Sequence, residues 1–434
     1  MTARFALWAL AAALLTSVTA CGTGTSNSAD AADVDVQDEL ACAPDNGGLV
    51  LPEGFCAVVV ASDLGAPRHM AVAPNGDLYV TLRGGRGTSG SAVALRDTTG
   101  DGVADVRVTF DDHGGTGIEL WNGWVYVGRD DEIVRYRRPA GQLAPEGEAE
   151  PIVQGLRAEG GHAAKPVEIA DDGTLFVNIG SPSNSCQEQD REAGSPGKDP
   201  CDEREQNAGI WRFSADPPVQ TMADGTRYAA GLRNSVAIAI DPADGSLYAA
   251  IHGRDQLFQN WGELYSEEEG AELPAEEFVR VGEGDDFGWP YCYYDQQQGQ
   301  KVLAPEYGGD GQEIGRCADM ADPIVGFPGH WAPNGLAFYH ADAFPERYRG
   351  GVFIAFHGSW NRAPLPQEGA NVVFLPRSGD AFASEWEVFA EGEGDWAESR
   401  EHRPAGLAVG PDGSLYISDD AGGTIWRVIH RPQP

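Results

Sequence analysis

One pattern of apolar and polar positions recurs along the chain. An alternating apolar strand runs into an Asn-Gly or Asp-Gly turn, and a second strand led by Leu-Tyr or a similar pair follows. It is clearest in HMAVAPNGDLYVT from His69, KPVEIADDGTLFVNIG from Lys165, SVAIAIDPADGSLYAAIHG from Ser235 and AGLAVGPDGSLYISDD from Ala405. Degenerate copies begin at Ile118 and Asn334. Period-2 alternation interrupted by Gly-containing turns predicts hairpins. Six copies of one strand–turn–strand unit predict an all-β chain folded as a six-bladed β-propeller with four-stranded blades.

The ends of the chain complete that picture. GTIWRVIH reads as the third strand of the last blade, and FCAVVVASDL from Phe55 as its outer strand. An N-terminal strand closing the last blade would protect the sheet edges. Irregular spacing between copies predicts long loop insertions at 181–206, 254–289 and 290–328, and loops of that length usually carry function. A β-sandwich with appended domains is the alternative fold.

Charge removes one class of partner. The net charge is −37, from 30 basic and 67 acidic residues, whereas nucleic-acid affinity is dominated by Lys and Arg on phosphate. The acidic surface reads as a soluble, self-repelling exterior or as a docking face for a basic electron-carrier protein.

The first twenty residues read as a lipoprotein signal peptide. Arg4 precedes the apolar run from Phe5 to Leu15, which is too short to span a bilayer. Val18-Thr19-Ala20-Cys21 resembles a lipobox, with Cys21 carrying lipid; an ordinary secretory signal is the alternative. Residues 21–48 read as a flexible acidic tether and 49–434 as the propeller. The location implied is a lipoprotein on the outer membrane facing the periplasm, or on the cell surface, with no membrane contact beyond the lipid anchor. Six cysteines remain, an even number for an oxidising compartment. Proximity favours Cys42 with Cys56, Cys186 with Cys201 and Cys292 with Cys317 among the 15 possible connectivities. No CxxC spacing suggests zinc.

Several stretches carry polar residues where a hairpin needs none. Asp97, Asp101 and Asp105 space like part of a calcium loop, yet Val108 stands where the bidentate Glu belongs, so a plain acidic turn competes with a weak ion site. Gly160-Gly161-His162, then GLRN from Gly231 to Asn234, Pro333-Asn334 and Arg403 each precede an innermost strand. Such positions converge on one face of a propeller. His and Arg focused there favour an anionic ligand beside a proton-transfer group.

These motifs occur in order with His252-Gly253, FGWPYCY from Phe287 and HGSWNR from His357. Together they make the chain resemble the soluble quinoprotein sugar dehydrogenases, most closely their L-sorbosone-dehydrogenase-like branch. The resemblance implies a six-bladed propeller binding pyrroloquinoline quinone (PQQ) and calcium and oxidising an aldose sugar or related aldehyde. It implies His162 as general base and Arg233 beside the quinone carbonyl. Asn234, Arg403, Ser359, Asn361 and Arg362 would bind the cofactor, and the backbone carbonyls of Gly253 and Arg254 would hold calcium. Where glucose-oxidising members carry an Asp nineteen residues after the His, this chain has Ser181; Arg254 replaces a Pro, and the cofactor-binding Lys has no match. No CxxCH haem motif is present, so a separate acceptor, such as a periplasmic cytochrome, is implied. Two other classes stay open: a non-catalytic, lipid-anchored propeller binding glycan or protein, and a calcium-dependent lactonase on the same fold.

Overall fold

Each of the six hairpins forms the inner two strands of one antiparallel sheet in a computed structural model that describes residues 40–85, 89–216 and 218–431. Blade 1 contains Pro67–Val72, Leu78–Leu82, Ser91–Arg96 and Val106–Asp111. Blade 2 contains Gly115–Trp121, Trp124–Arg129, Glu132–Arg137 and Glu146–Gln154, and blade 3 Val167–Ile169, Thr174–Ile179, Gly209–Ser214 and Thr226–Ala230. Blade 4 runs through Ala237–Ile240, Leu247–Ile251, Glu276–Val281 and Val325–Phe327. Blade 5 is built from Pro333–Phe338, Val352–His357, Ala370–Leu375 and Glu387–Gly392. The innermost strands touch their neighbours all the way round, closing a six-bladed ring.

Closure occurs as the alternation predicts. Phe55–Ala61 pairs antiparallel with Thr424–His430, Phe55 opposite His430, and completes blade 6 with Leu415–Asp419 and Pro404–Val409. The Phe55 ring meets Phe344, Tyr348 and Phe389 of blade 5 edge-on at 4.8–5.4 Å. The closing strand thereby joins one aromatic core across two blades, where such edge contacts add to area burial.

Two boundaries differ from the sequence reading. Residues 40–48, expected to belong to the tether, are part of the folded body. Leu40 is buried against Val58 and Ile429, and the Gly47 carbonyl accepts from Trp426 Nε1 at 3.1 Å. Leu49–Val50 then adds an outer strand to blade 5. The apolar residues there are too sparse for a periodic signal, so the packing is invisible until the ring exists. The insertions after His252 also contain the third and fourth strands of blade 4. Glu276–Val281 escapes a strand reading because of its two leading carboxylates, which are buried in the ring rather than solvated.

The cysteine pairs are Cys42–Cys56, Cys186–Cys201 and Cys292–Cys317, as proximity favoured. The Asp97–Asp105 segment is an acidic turn. Asp97 accepts from the backbone N–H groups of Thr99, Gly100 and Gly102, and Asp105 from the Thr98 N–H and hydroxyl, so these carboxylates serve their own loop. The signal peptide and Cys21 lie outside the described residues.

The axial channel is partitioned. His69 Nε2 reaches from blade 1 to the Asn334 carbonyl of blade 5 at 2.8 Å. Beyond it, a cavity of about 500 Å³ holds Glu119 and Glu168 from the innermost strands of blades 2 and 3. Enclosure raises Glu119 to about 7, and raises Glu168 well above the usual carboxyl range with the Glu119 charge adding to the effect. A carboxyl raised in the folded state stabilises fully below its unfolded value near 4.5, and that stability is lost as pH rises through the folded value. Glu119→Gln is therefore expected to unfold like wild type at pH 4.5 and to be more stable by roughly 2 kcal/mol at pH 8. Denaturant titrations at both pH values check this, and equal destabilisation at both would refute it.

Candidate active site

A second cavity, of about 350 Å³, opens on the side of the ring where the innermost strands begin. His162, Arg233, Asn234, Gly253 and Asn361 all line it, from three different blades. Close backbone approach makes this possible. A Cβ on Gly128 of blade 2 would stand 2.0 Å from the Lys165 carbonyl, and one on Gly180 would stand 2.6 Å from His162 Cβ. Both glycines leave the room that brings the His162 segment to the axis.

His162 has φ +58°, a left-handed conformation that costs a β-carbon-bearing residue energy and is typical of functional sites. The segment is held by neighbouring groups that carry no signal in the sequence. The Arg157 guanidinium donates to the carbonyls of Gly161 (2.8 Å), His162 (3.2 Å) and Gly180 (2.7 Å). Lys165, fully buried, donates from Nζ to the carbonyls of Arg157 and Ala163. With no carboxylate on Nζ, burial lowers the Lys165 amine to about 7, and the Arg157 charge lowers it further.

The imidazole itself is tautomerically defined. Nδ1 lies 2.8 Å from the Ser181 carbonyl and 3.1 Å from its Oγ. A carbonyl only accepts, so Nδ1 carries the proton and a neutral ring leaves Nε2 as a basic lone pair. Burial, then the Arg233 charge, push the pKa well below 6.5, keeping the ring neutral. Ser181 thus orients the imidazole with a carbonyl and hydroxyl at the position where the resemblance led one to look for a carboxylate.

Arg233 answers why the 231–253 hairpin has polar ends. Its Nη1 donates to the Gly253 carbonyl at 2.8 Å, joining the two ends of the hairpin. Nη2 bonds Asp255 Oδ2 at 2.9 Å and Asn184 Oδ1 at 3.0 Å, and Nε bonds the Asn184 carbonyl. Asp255 also takes Arg191 Nη2 at 2.8 Å and Asn361 Nδ2 at 2.8 Å. The two guanidinium groups hold this largely enclosed carboxylate well below the usual range, against a desolvation that opposes ionisation. Asn184 and Arg191 come from the 181–206 insertion, so that loop builds the site. Glu276, 2 % exposed, accepts from the N–H groups of Gly253 and Ala332, and burial raises it to about 8. Burial thus favours its protonated form.

The side chains of three residues expected at the cofactor, and that of Arg254, whose backbone carbonyl was the expected ligand, lie elsewhere. Ser359 is fully buried on Gln367, and Arg362 is tied to Glu272, Pro366 and Ala271. Arg403 donates to His357 Nδ1 and to the carbonyls of Gly358 and Ser359. The Arg254 side chain turns into the insertion, pairing with buried Glu306 at 2.6 Å. None of the four is among the residues lining the cavity. Arg68 and Arg83 line it instead. Arg68 had a readable signal, because it lies at the start of the innermost strand of blade 1, close to where Arg233 and Arg403 stand before theirs.

The residues present fit an anionic quinone such as PQQ: Arg68, Arg83, Arg191 and Arg233 face one cavity, and although Arg68 pairs with Asp420 and the last two share Asp255, the four guanidinium groups outnumber these two carboxylates. The donor set expected for calcium does not fit an ion. Of the two carbonyls expected to hold it, that of Gly253 is engaged by the Arg233 guanidinium, whose charge would face the metal, and the adjacent Asp255 carboxylate is paired with two arginines.

Comparison with known proteins agrees with the fold and the motifs. Residues 49–431 match the family model described as TrAA12-like. A PQQ-dependent pyranose dehydrogenase of Coprinopsis cinerea is 26% identical over 286 residues, covering 56% of this chain and 37% of that protein. An uncharacterised Borreliella burgdorferi protein is 29% identical over 205 residues, covering 46% of this chain and 48% of that protein. The chain therefore spans less than half the length of either curated relative. Among solved structures, the holo PQQ domain of the Coprinopsis cinerea pyranose dehydrogenase superposes with TM-score 0.71 at 20% identity, covering 88% of this chain and 97% of that one. A Trichoderma reesei enzyme of carbohydrate-active family AA12 gives 0.72 at 17%, covering 88% and 98%. With the family model covering nearly the whole propeller, the chain belongs to the TrAA12-like family, and the resemblance to PQQ-dependent sugar dehydrogenases read from its motifs is borne out.

Proposed function

We propose that this protein oxidises a sugar hydroxyl, with His162 taking the hydroxyl proton at Nε2. The observation that carries the reading is a neutral imidazole with its Nδ1 proton committed to Ser181, beside a cluster of guanidinium groups. Bound PQQ would supply the two-electron acceptor for the hydride leaving the same carbon. Arg233, Arg191, Arg68 and Arg83 would hold its carboxylates and carbonyl oxygens. Arg233, fixed by four hydrogen bonds before any ligand arrives, would stabilise negative charge developing on an oxygen without reorganising.

Electrons would leave to a separate acceptor, and Cys21 would carry the lipid that keeps the enzyme at a membrane. Mass analysis of the mature N-terminus tests the latter.

Absorbance titration of PQQ into the purified protein, followed by dye reduction across aldoses and aldehydes, tests the function. Saturable binding with turnover supports it, and absence of binding overturns it. Because the Gly253 carbonyl already serves Arg233, chelator-treated protein is expected to bind PQQ within about threefold of the affinity seen with added calcium, a difference below about 1 kcal/mol. A tenfold or larger dependence on calcium would show that Arg233 yields the carbonyl to the ion.

A further inference from the structure

The guanidinium of Arg191 sits where the 181–206 and 254–289 insertions meet, and two strained residues put it there. Arg191 has φ +62° and Gln256, which receives it, φ +66°, both left-handed and costly for residues with a β-carbon. Arg191 Nη1 donates to Gln256 Oε1 and Nη2 to Asp255 Oδ2, each at 2.8 Å. Gln187, 2% exposed, braces the turn from inside. Its Oε1 accepts from the Arg191 N–H at 2.9 Å, and its Nε2 donates to the carbonyls of Glu192 and Ser195, both at 3.1 Å. A side chain delivered by so constrained a loop is held in place before any ligand arrives.

The position it takes is one a cation would want. Asp255 Oδ2 accepts from Arg191 and, at 2.9 Å, from Arg233 Nη2, while Oδ1 accepts from Asn361 Nδ2 at 2.8 Å, so both carboxylate oxygens are engaged. One carboxylate thus faces two guanidinium charges. Asp190, 42% exposed, lies 3.9 Å from Arg191 Nε, a solvated contact that cancels little of the excess. Of the two arginines, Arg233 is 4% exposed and also tied to Asn184 and Gly253, whereas Arg191 is 35% exposed and lines the cavity. The charge left open to a ligand is that of Arg191. Calcium binds through oxygen donors with carboxylates among them, and the carboxylate it would need here is taken.

Resting on the reading of this cavity as the PQQ site, we infer that Arg191 is the pocket's built-in cation: it holds the Asp255 carboxylate that a calcium ion would require and supplies, in the ion's place, positive charge to the anionic quinone. Arg233 fixes the geometry and Arg191 provides the charge that meets the ligand. Independence from metal is then a consequence of one guanidinium, and removing that guanidinium should create a metal requirement.

Arg191→Ala and Arg191→Lys in the full chain test this, since the partly exposed side chain can be replaced while Arg233 and Asn361 still hold Asp255. Chelator-treated Arg191→Ala is expected to bind PQQ about tenfold more weakly than wild type, and millimolar calcium to restore most of the loss. Arg191→Lys, which keeps the charge, should bind within about threefold of wild type with or without calcium. Calorimetric titration with calcium alone gives a readout independent of PQQ and of turnover: Arg191→Ala should bind a calcium ion that wild type does not. Unchanged PQQ affinity in chelator-treated Arg191→Ala would overturn the inference, as would a loss that calcium does not restore, or the absence of an added calcium ion in the calorimetric titration. If PQQ fails to bind wild type while Arg191→Ala still gains a calcium ion, the oxidation reading falls and Arg191 stands as the occupant of the cation position.

Discussion

His162→Gln is expected to lower kcat/KM about 10³-fold, within the range a positioned general base contributes, while PQQ still titrates as in wild type. The loss should fall on kcat, since the imidazole's task is in proton transfer. The pH profile of the wild type gives a second check. A base works only unprotonated, and burial with the Arg233 charge keeps this one unprotonated well below 6.5. kcat/KM should therefore stay level as pH falls through 6.5 and decline only at lower pH. A variant retaining more than a tenth of wild-type activity, or an acid limb centred near 6.5, would remove His162 from the role of base.

The second large effect is on stability. Asp255→Ala should destabilise the fold by about 3–5 kcal/mol, the usual cost of leaving a buried charge without its partner. Asp255 is the carboxylate between Arg233, whose side chain is 4% exposed, and Arg191. Removing it leaves Arg233 facing only carbonyl and amide oxygens. The wild-type contribution is present above the unfolded carboxylate value and lost as pH falls below it, because the folded value is depressed. The difference between the two proteins in denaturant titrations should thus shrink as pH drops towards 3. A constant difference down to pH 3, or a cost under about 1 kcal/mol, would show that the network is replaceable.

Both effects arise where blades meet, and this marks the limit of what single strands reveal. The Asn-Gly and Asp-Gly hairpins from His69, Lys165, Ser235 and Ala405 are legible because turn chemistry and period-2 burial are local properties. Ring closure by Phe55–Ala61 is legible for the same reason, with a strand lacking a partner at each end of the chain. His162, Arg233 and Asn234 can be placed together from their positions in the repeat, because the start of every innermost strand points to one face.

Other features have no local signature. The carboxylates of Glu276 and Glu277 look solvated in sequence and are buried in the third strand of blade 4. Arg403, Arg362 and Ser359 look like ligand contacts and instead support a turn, since hydrogen-bonding residue types are the same in either role. Arg157, Lys165 and Asn184 hold His162 and Arg233 through donors and acceptors that only the folded loops bring into reach.

The sequence by itself determined the blade count and the closing strand and favoured the cysteine pairing, because periodicity, turn residues and spacing act within a few positions of one another, while the family resemblance implied His162 as the candidate base. The tertiary structure alone decided which charges meet. It set the Gly253 carbonyl on Arg233, turned Arg254 away from the cavity and brought Arg191 onto Asp255. Those outcomes depend on distances between segments dozens to hundreds of residues apart, and such distances exist only once the ring has closed.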